Sequence, residues 1–220
     1  MAPIIVDPDK VHEFTDAASF YRWLGKQHDR ETEVWIKIHK VGSDLPSITL
    51  AQAIEVALCW GWIDAIRKGF DNKSFLQRHT RRGRKSIWSQ INVATVARPI
   101  DDGRMTAHGL AQVDAAKAGG RWDRAYHGAK TMEFPAGLLR AIDAEPQAQA
   151  MFAKLNARNR YALAFRLHNM KTESGRKKVD SGLCRLADAG RVDLSVGQGV
   201  MQWHKPMVGN GVFSNDQKIN

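Results

Sequence analysis

The chain has 220 residues, of which 43% are apolar and 25% charged, so it fits one large or two small folded domains and is not a disordered protein across its main body. Lysine and arginine outnumber aspartate and glutamate by 33 to 23, and the net charge of +10 favours anionic partners such as nucleic acid, phosphorylated metabolites, acidic lipids or acidic proteins. The two cysteines, Cys59 and Cys184, form no C-x-x-C pair, which excludes a disulfide scaffold and argues against a zinc site.

Targeting and cofactor signals are not found in the sequence. The first residues lack the charged start and apolar middle of a signal peptide, and no apolar run approaches the length of a membrane span. The histidines show no H-E-x-x-H or comparable ligand spacing, and no P-loop or dinucleotide fingerprint occurs. We therefore expect a cytoplasmic protein with no membrane partner, no metal and no cofactor.

Helix-capping residues and the alternation of apolar and polar side chains predict the first helix and the first strand. Residues 1–13 combine a short apolar run with two prolines, which predicts an extended segment. Thr15 or Asp16 can cap a helix that ends near Lys26. Residues 33–40 alternate between apolar and polar side chains, a pattern typical of a half-buried strand.

A second helix and two strands follow. Thr49 can cap a helix over residues 50–60, which Gly61 ends. Residues 62–67 and 74–78 then predict two strands joined by a turn. Three short strands indicate one small antiparallel sheet, so the fold class predicted for the front half is α+β.

The rest of the chain is predicted to be helical. Ser86 is expected to cap a helix over residues 88–100, and a second helix covers residues 106–118. After an irregular stretch, short helices are expected at 138–142, 151–155, 158–168 and 176–189. We expect an α+β domain at 14–122, a helical C-terminal region at 134–191 and a weakly specified tail at 192–220.

A dense basic cluster lies between Ile66 and Trp88. Eight positive charges there are opposed only by Asp71, and such density is repulsive unless anions or carboxylates relieve it. Tryptophans and phenylalanines are interleaved with these charges, and guanidinium groups beside aromatic faces suit planar anionic ligands. The candidate ligand-binding residues are Trp60, Trp62, Arg67, Arg78, Arg82, Lys85, Ser86, Trp88 and Asn92.

Two interpretations of this cluster remain open. In the functional one, Ser86 and the following helix start add hydroxyl and N–H donors for a phosphate, carboxylate or sulfate. In the structural one, the tryptophans fill the core and the arginines form a solvated rim. Asp64, in an apolar strand, could be a general base or a structural partner of an arginine. Cys59 could be a nucleophile or an inert buried thiol.

Three runs of residues carry a resemblance to a known family. They are Ala57-Leu58-Cys59-Trp60-Gly61-Trp62-Ile63-Asp64, Gln77-Arg78-x-Thr80-x-Arg82 and Lys85-Ser86-x-Trp88-Ser89-x-x-Asn92. Together they resemble the YdeI/OmpD-associated family, often labelled bacteriocin-protection proteins, and the resemblance extends over residues 14–191. It implies a cytoplasmic bacterial protein linked to stress or antimicrobial tolerance, and it implies no particular reaction.

Three functions are compatible with these observations. The first is a binding protein that holds an anionic, partly aromatic small molecule between the arginines and tryptophans. The second is an enzyme acting on such a ligand, with Asp64 or Cys59 in proton transfer or nucleophilic catalysis. The third is a nonspecific nucleic-acid binder, although no helix-turn-helix, zinc-finger or RNP-like pattern is present.

Overall fold

The computed structural model describes residues 4–170, and these form the predicted α+β protein. The four strands of its sheet are β1 Val11–Glu13, β2 Glu33–His39, β3 Trp62–Gly69 and β4 Ser74–Arg81, in the order β1-β2-β4-β3. The helices of the described part are α1 Ala17–Gln27, α2 Leu50–Cys59, α3 Gln90–Asp101, α4 Ala107–Ala118, α5 Ala136–Asp143, α6 Pro146–Lys154 and α7 Ala157–His168. The helix expected at 176–189 and the tail at 192–220 lie outside the described residues.

The sheet is larger than the sequence predicts. Strand β4 pairs antiparallel with both β2 and β3, as expected. The segment expected to be a mere lead-in contributes β1, which runs parallel to β2 with Val11 opposite Trp35. This strand makes the sheet mixed, and a strand of only three residues has no alternation long enough to identify it from sequence.

Helix N-termini are set by local side chains. Asp16 caps α1 and Thr49 caps α2, each as part of a reciprocal capping box. The cap predicted at Ser86 is wrong, because the side chain that accepts the N–H of Asn92 at the start of α3 is that of Ser89. Ser86 instead closes a turn, accepting the backbone N–H of Gly83 on its hydroxyl at 3.0 Å.

Three apolar clusters hold the elements together. The first packs α1 and α2 on the sheet, and the second joins α5, α6 and α7. The third lies between α2, α3 and α4 and includes Leu58, Trp88, Val96 and Val113. Contacts between the helical C-terminal part and the rest include Phe165 of α7 against the ring of Tyr126, with ring centroids 4.8 Å apart. In the described part of the chain, no helix is long and apolar enough to cross a membrane.

Two glycines allow α4 to approach the turn between α2 and β3. Gly61 has φ +71°, and a Cβ there would lie 2.8 Å from the carbonyl oxygen of His108. A Cβ on Gly109 would lie 2.3 Å from the carbonyl oxygen of Cys59. Because any side chain at either position would collide with backbone, this contact requires glycine on both sides. It fixes the start of β3, on which the candidate site is built.

Candidate functional site

Arg82 is the first residue after β4, and its backbone ties it to the start of β3. Its N–H donates to the carbonyl oxygen of Gly61 at 3.0 Å, which extends the pairing of β3 and β4 beyond Arg81. The side chain is buried, with only 5% of the residue exposed. Arginines are rarely this buried without a full set of partners, so the surroundings of this guanidinium matter.

The guanidinium of Arg82 is only partly satisfied. Nη1 donates to the carbonyl oxygen of Ile87 at 3.0 Å, and the ring of Trp88 lies 3.9 Å from Cζ in a cation–π contact. Nε and Nη2, which form one edge of the guanidinium, are buried and have no hydrogen-bond partner among the described residues. The indole Nε1 of Trp88 is also buried without a partner there. Arg82 and the ring that covers it therefore contain three buried donor atoms without an acceptor among the described residues.

Burial lowers the pKa of Arg82 to about 10, and the carboxyl of Asp64 and the hydroxyl of Tyr126 partly oppose this effect. The positive charge of Arg121 adds a smaller lowering influence. Even so, the group stays protonated at neutral pH. The site thus holds a permanent positive charge in a poorly solvated place, which is the condition under which an anion is bound most strongly.

Asp64 lies on β3, opposite His79 of β4, and is partly buried. Burial raises the pKa of its carboxyl, while its own backbone N–H and the charges of Arg82 and Arg67 act in the opposite direction. Among the described residues no ion pair joins Asp64 to Arg82. Asp64 is therefore a neighbouring charge to Arg82 and not the acceptor that satisfies it.

Tyr126 completes the site from a part of the chain that the sequence predicts only as irregular. Its N–H donates to the carbonyl oxygen of Trp88 and its own carbonyl accepts from Gln90, both at 2.9 Å, which forms a short parallel bridge beside Ser89. Burial and the charge of Asp64 raise the pKa of the Tyr126 hydroxyl, and a hydrogen bond with Ser89 opposes this. We call Asp64, Arg82, Trp88, Ser89 and Tyr126 the Arg82 cluster.

The predicted tryptophans are not brought to one place. The ring of Trp60 packs with Tyr21 and His28, at centroid distances of 5.3 and 4.8 Å. Trp62 is 1% exposed and lies edge-on to Trp23 in the first apolar cluster. Trp88 alone of the three belongs to the Arg82 cluster, so a single pocket walled by all three tryptophans is not what the structure contains.

The predicted arginines are also separated. Arg78 forms an ion pair with Glu33, and its Nε donates to that carboxylate at 2.6 Å. Arg67 donates to the side-chain oxygen of Gln77 at 3.3 Å and lies over the ring of Phe75. Their charges are thus engaged on the sheet, and of the predicted arginines only Arg82 belongs to the Arg82 cluster.

The remaining candidates are peripheral or structural. Lys85 is exposed, and the backbone carbonyl of Ser86 accepts from Arg121 at 3.0 Å, which links the loop after β4 to the segment after α4. Asn92 is buried at the start of α3.

Cys59 is buried within the helical core. Burial raises the pKa of the Cys59 thiol to about 11, so it is protonated at neutral pH and is a poor nucleophile. Within residues 4–170, no three His, Cys, Asp or Glu side chains are grouped so as to hold a metal ion.

The fold and the Arg82 cluster together define an α+β protein with a buried, incompletely satisfied arginine beside a partly buried carboxyl. Residues 131–178 match the family model described as bacteriocin-protection, YdeI or OmpD-associated, so this C-terminal segment is similar to that family. Residues 12–112 match another model, described as Domain of unknown function (DUF8412). Neither a curated protein nor a solved structure matches the chain.

The family match covers a shorter part of the chain than the resemblance expected from the sequence. The resemblance is expected to run over residues 14–191, and the runs that suggest it lie between residues 57 and 92. The match to the YdeI/OmpD-associated family covers residues 131–178, whereas those runs fall in the segment matched by the other model. All five residues of the Arg82 cluster therefore lie outside the segment that the YdeI/OmpD-associated model describes.

Proposed function

We propose that the protein binds an anionic, partly aromatic small molecule and that Arg82 anchors the anionic group. The observation that supports this is the pair of buried guanidinium nitrogens, Nε and Nη2, with no acceptor among the described residues. A buried donor without a partner costs about 1–3 kcal/mol, and more when it is charged, so such a group is retained where a ligand supplies the acceptor.

The aromatic part of the ligand is proposed to contact the Arg82 cluster and not the other tryptophans. Trp88 and Tyr126 are the aromatic side chains beside Arg82, whereas Trp60 and Trp62 pack elsewhere. Because Nε and Nη2 are shielded from solvent, the ligand reaches them only after neighbouring side chains move. Association is therefore expected to be slower than diffusion.

A role in stress or antimicrobial tolerance, exerted in the cytoplasm, is proposed from the family of the C-terminal region. Sequestration of a small toxic molecule by the Arg82 cluster would provide such protection without any catalysed reaction. Binding without catalysis is the simpler proposal, since it requires only the hydrogen-bond donors of Arg82 and Trp88.

One observation favours a second candidate, an enzyme that acts on the same ligand. Asp64 has a raised pKa and stands near Arg82 and Tyr126, so it could accept a proton from a ligand whose developing negative charge Arg82 stabilises. The protonated, buried Cys59 has no comparable support as a nucleophile. Turnover lost in Asp64→Asn with ligand binding retained would favour this candidate over simple binding.

Nonspecific nucleic-acid binding gains no comparable support from the basic run. Arg78 pairs with Glu33, Arg81 donates to the carbonyl oxygen of Glu31 at 2.8 Å, and Arg82 is buried. These charges are therefore not arrayed on one open face for a phosphate backbone.

Titration calorimetry with a panel of aromatic carboxylates, phosphates and sulfonates tests the binding proposal. Arg82→Met should abolish binding, whereas Arg84→Met, which removes the same charge from an exposed position two residues away, should change affinity by less than about threefold. Equal binding by wild type and Arg82→Met would overturn the proposal. Equal losses in the two variants would show that general charge, and not the buried edge, attracts the anion.

A further inference from the structure

We propose that the anionic group bound at Arg82 is a carboxylate, held by two parallel hydrogen bonds along the Nε–Nη2 edge. This inference rests on the proposed function, and it adds the chemical class of the ligand's head group. It is carried by the geometry of the guanidinium: one end is occupied, one face is covered and one buried edge has no hydrogen-bond partner among the described residues.

The occupied end and the covered face limit how a ligand can approach. Nη1 is committed to the carbonyl oxygen of Ile87, and the Trp88 ring lies 3.9 Å from Cζ. The donors without a partner among the described residues are Nε and Nη2, whose N–H bonds point the same way in the guanidinium plane. Two parallel donors at this spacing match the two oxygens of a planar carboxylate, and the fork is the strongest arrangement that arginine offers.

A third buried donor without a partner in the described structure belongs to the tryptophan that covers the guanidinium. The indole Nε1 of Trp88 is buried and has no partner among the described residues. It belongs to the same ring that covers the guanidinium. Arg82 and Trp88 carry no acceptor atom on their polar groups, so a hydroxyl or amine ligand would gain far less here than a group that is acceptor-only.

The charge balance favours a group with one negative charge over a dianionic phosphate. Asp64 and Tyr126 stand near Arg82, and burial together with the charge of Asp64 raises the pKa of the Tyr126 hydroxyl. A second positive group, Arg121, has its guanidinium donors engaged with the carbonyl oxygens of Ser86 and Ala115. Arg82 supplies one positive charge, so it can compensate one negative charge on a ligand, and a second ligand charge would add to the repulsion from Asp64 in a poorly solvated place.

Asp64 is the carboxylate within the chain that could compete for the same edge. The two side chains influence each other's pKa but form no ion pair in the described structure. Removal of the Asp64 charge therefore separates two cases. If the edge serves a ligand, Asp64→Asn should bind carboxylates more tightly, by about threefold to tenfold, because a repelling charge is gone. If Asp64 is the true partner, the variant should be destabilised and carboxylates should gain nothing specific.

The experiment compares head groups on the same rings. Calorimetry at pH 7.5 would use benzoate, phenyl phosphate and benzenesulfonate, and the corresponding indole and naphthalene compounds, with the full chain. The carboxylate should bind at least tenfold more tightly than the phosphate on at least one ring. Tighter binding of the phosphate or sulfonate on every ring would overturn the carboxylate assignment and leave the binding function intact. No binding by any member would count against both.

A charge-conserving variant tests the fork itself. Arg82→Lys keeps the positive charge and loses the paired donors, so carboxylate affinity should fall by tenfold or more. Arg84→Lys is the matched control at an exposed position and should bind as wild type does. Unchanged carboxylate affinity in Arg82→Lys would overturn the assignment. If Arg82→Lys does not fold, as judged by circular dichroism, the head-group ranking in wild type and the Asp64→Asn comparison decide the question.

Discussion

Arg82→Met should leave the ligand-free protein at least nearly as stable as wild type. Burial lowers the pKa of Arg82 from its ordinary value to about 10, and at about 1.4 kcal/mol per pKa unit the charged guanidinium is disfavoured by about 3 kcal/mol. Methionine removes that charge, and its flexible side chain can occupy the space of the aliphatic stem and still pack on Trp88. A binding arginine is expected to carry such a stability penalty.

The interactions that the variant loses are together comparable in free energy to this gain. The carbonyl oxygen of Ile87 loses its bond from Nη1, worth about 1–2 kcal/mol, and the cation–π contact with Trp88 contributes about 1 kcal/mol. The free energy of unfolding of Arg82→Met should therefore lie within about 1 kcal/mol of wild type, or above it.

Urea unfolding at pH 7, followed by circular dichroism, measures this difference. Arg84→Met provides the control for the loss of one positive charge at an exposed position. A loss of 3 kcal/mol or more, specific to Arg82→Met, would refute the reasoning, since about that much is lost when one member of a buried ion pair is removed. In that case Arg82 would be a structural partner of Asp64.

Three further predictions concern other parts of the molecule. Burial lowers the pKa of His79 from 6.5 to about 4, so between these pH values only the unfolded chain takes up a proton at this residue. The free energy of unfolding should therefore fall by up to about 3 kcal/mol as the pH drops through this window. In urea unfolding, the free energy of unfolding of His79→Phe should depend less steeply on pH than that of wild type. Parallel pH profiles would contradict this. With a pKa of about 11, the Cys59 thiol should react with iodoacetamide at pH 8 only after the protein unfolds. Mass spectrometry of the Cys184→Ser variant measures this labelling, and rapid labelling of the folded protein would contradict the prediction. Glu33→Gln breaks the half-exposed pair with Arg78 and should lower the free energy of unfolding by about 1 kcal/mol or less in urea unfolding, whereas a loss above 3 kcal/mol would mean that the pair is effectively buried.

The elements that the sequence predicts well are those specified by neighbouring residues. The caps at Asp16 and Thr49 bond to residues three positions away, so the pattern and the structure coincide. The same local signal fails at Ser86, because Ser89 is an equally good cap three residues later and the bridge to Tyr126 determines where the helix begins. Capping chemistry identifies a helix start to within a turn and does not choose between two serines.

The candidate site could be predicted only in part, for reasons of distance along the chain. The density of charge around Arg82 is visible in the sequence, but its burial is not, since Arg78 and Arg81 in the same run find partners on Glu33 and Glu31. Tyr126 lies 44 residues beyond Arg82, in a stretch without periodicity, and reaches the site through backbone bonds to Trp88 and Gln90. No local signal marks such a residue.

The dispersal of the tryptophans has the same origin. Trp60 follows α2 as its C-cap and Trp62 begins β3, so two residues of separation place their rings against different neighbours. Aromatic residues that alternate with arginines in the sequence therefore do not have to lie on one face of the folded protein. The neighbours of each tryptophan ring follow from where α2 ends, where β3 begins and how the chain turns at Gly61.

The most direct test of the central claim is the NMR signal of the Arg82 Nε–H, assigned by its loss in Arg82→Lys. A free edge predicts an unshifted resonance in the ligand-free protein that moves downfield when an aromatic carboxylate is added, in both wild type and Asp64→Asn. The account would be contradicted by a resonance that is already shifted downfield without ligand, that no carboxylate moves, and that returns to its ordinary position in Asp64→Asn. In that case Asp64 would occupy the Nε–Nη2 edge.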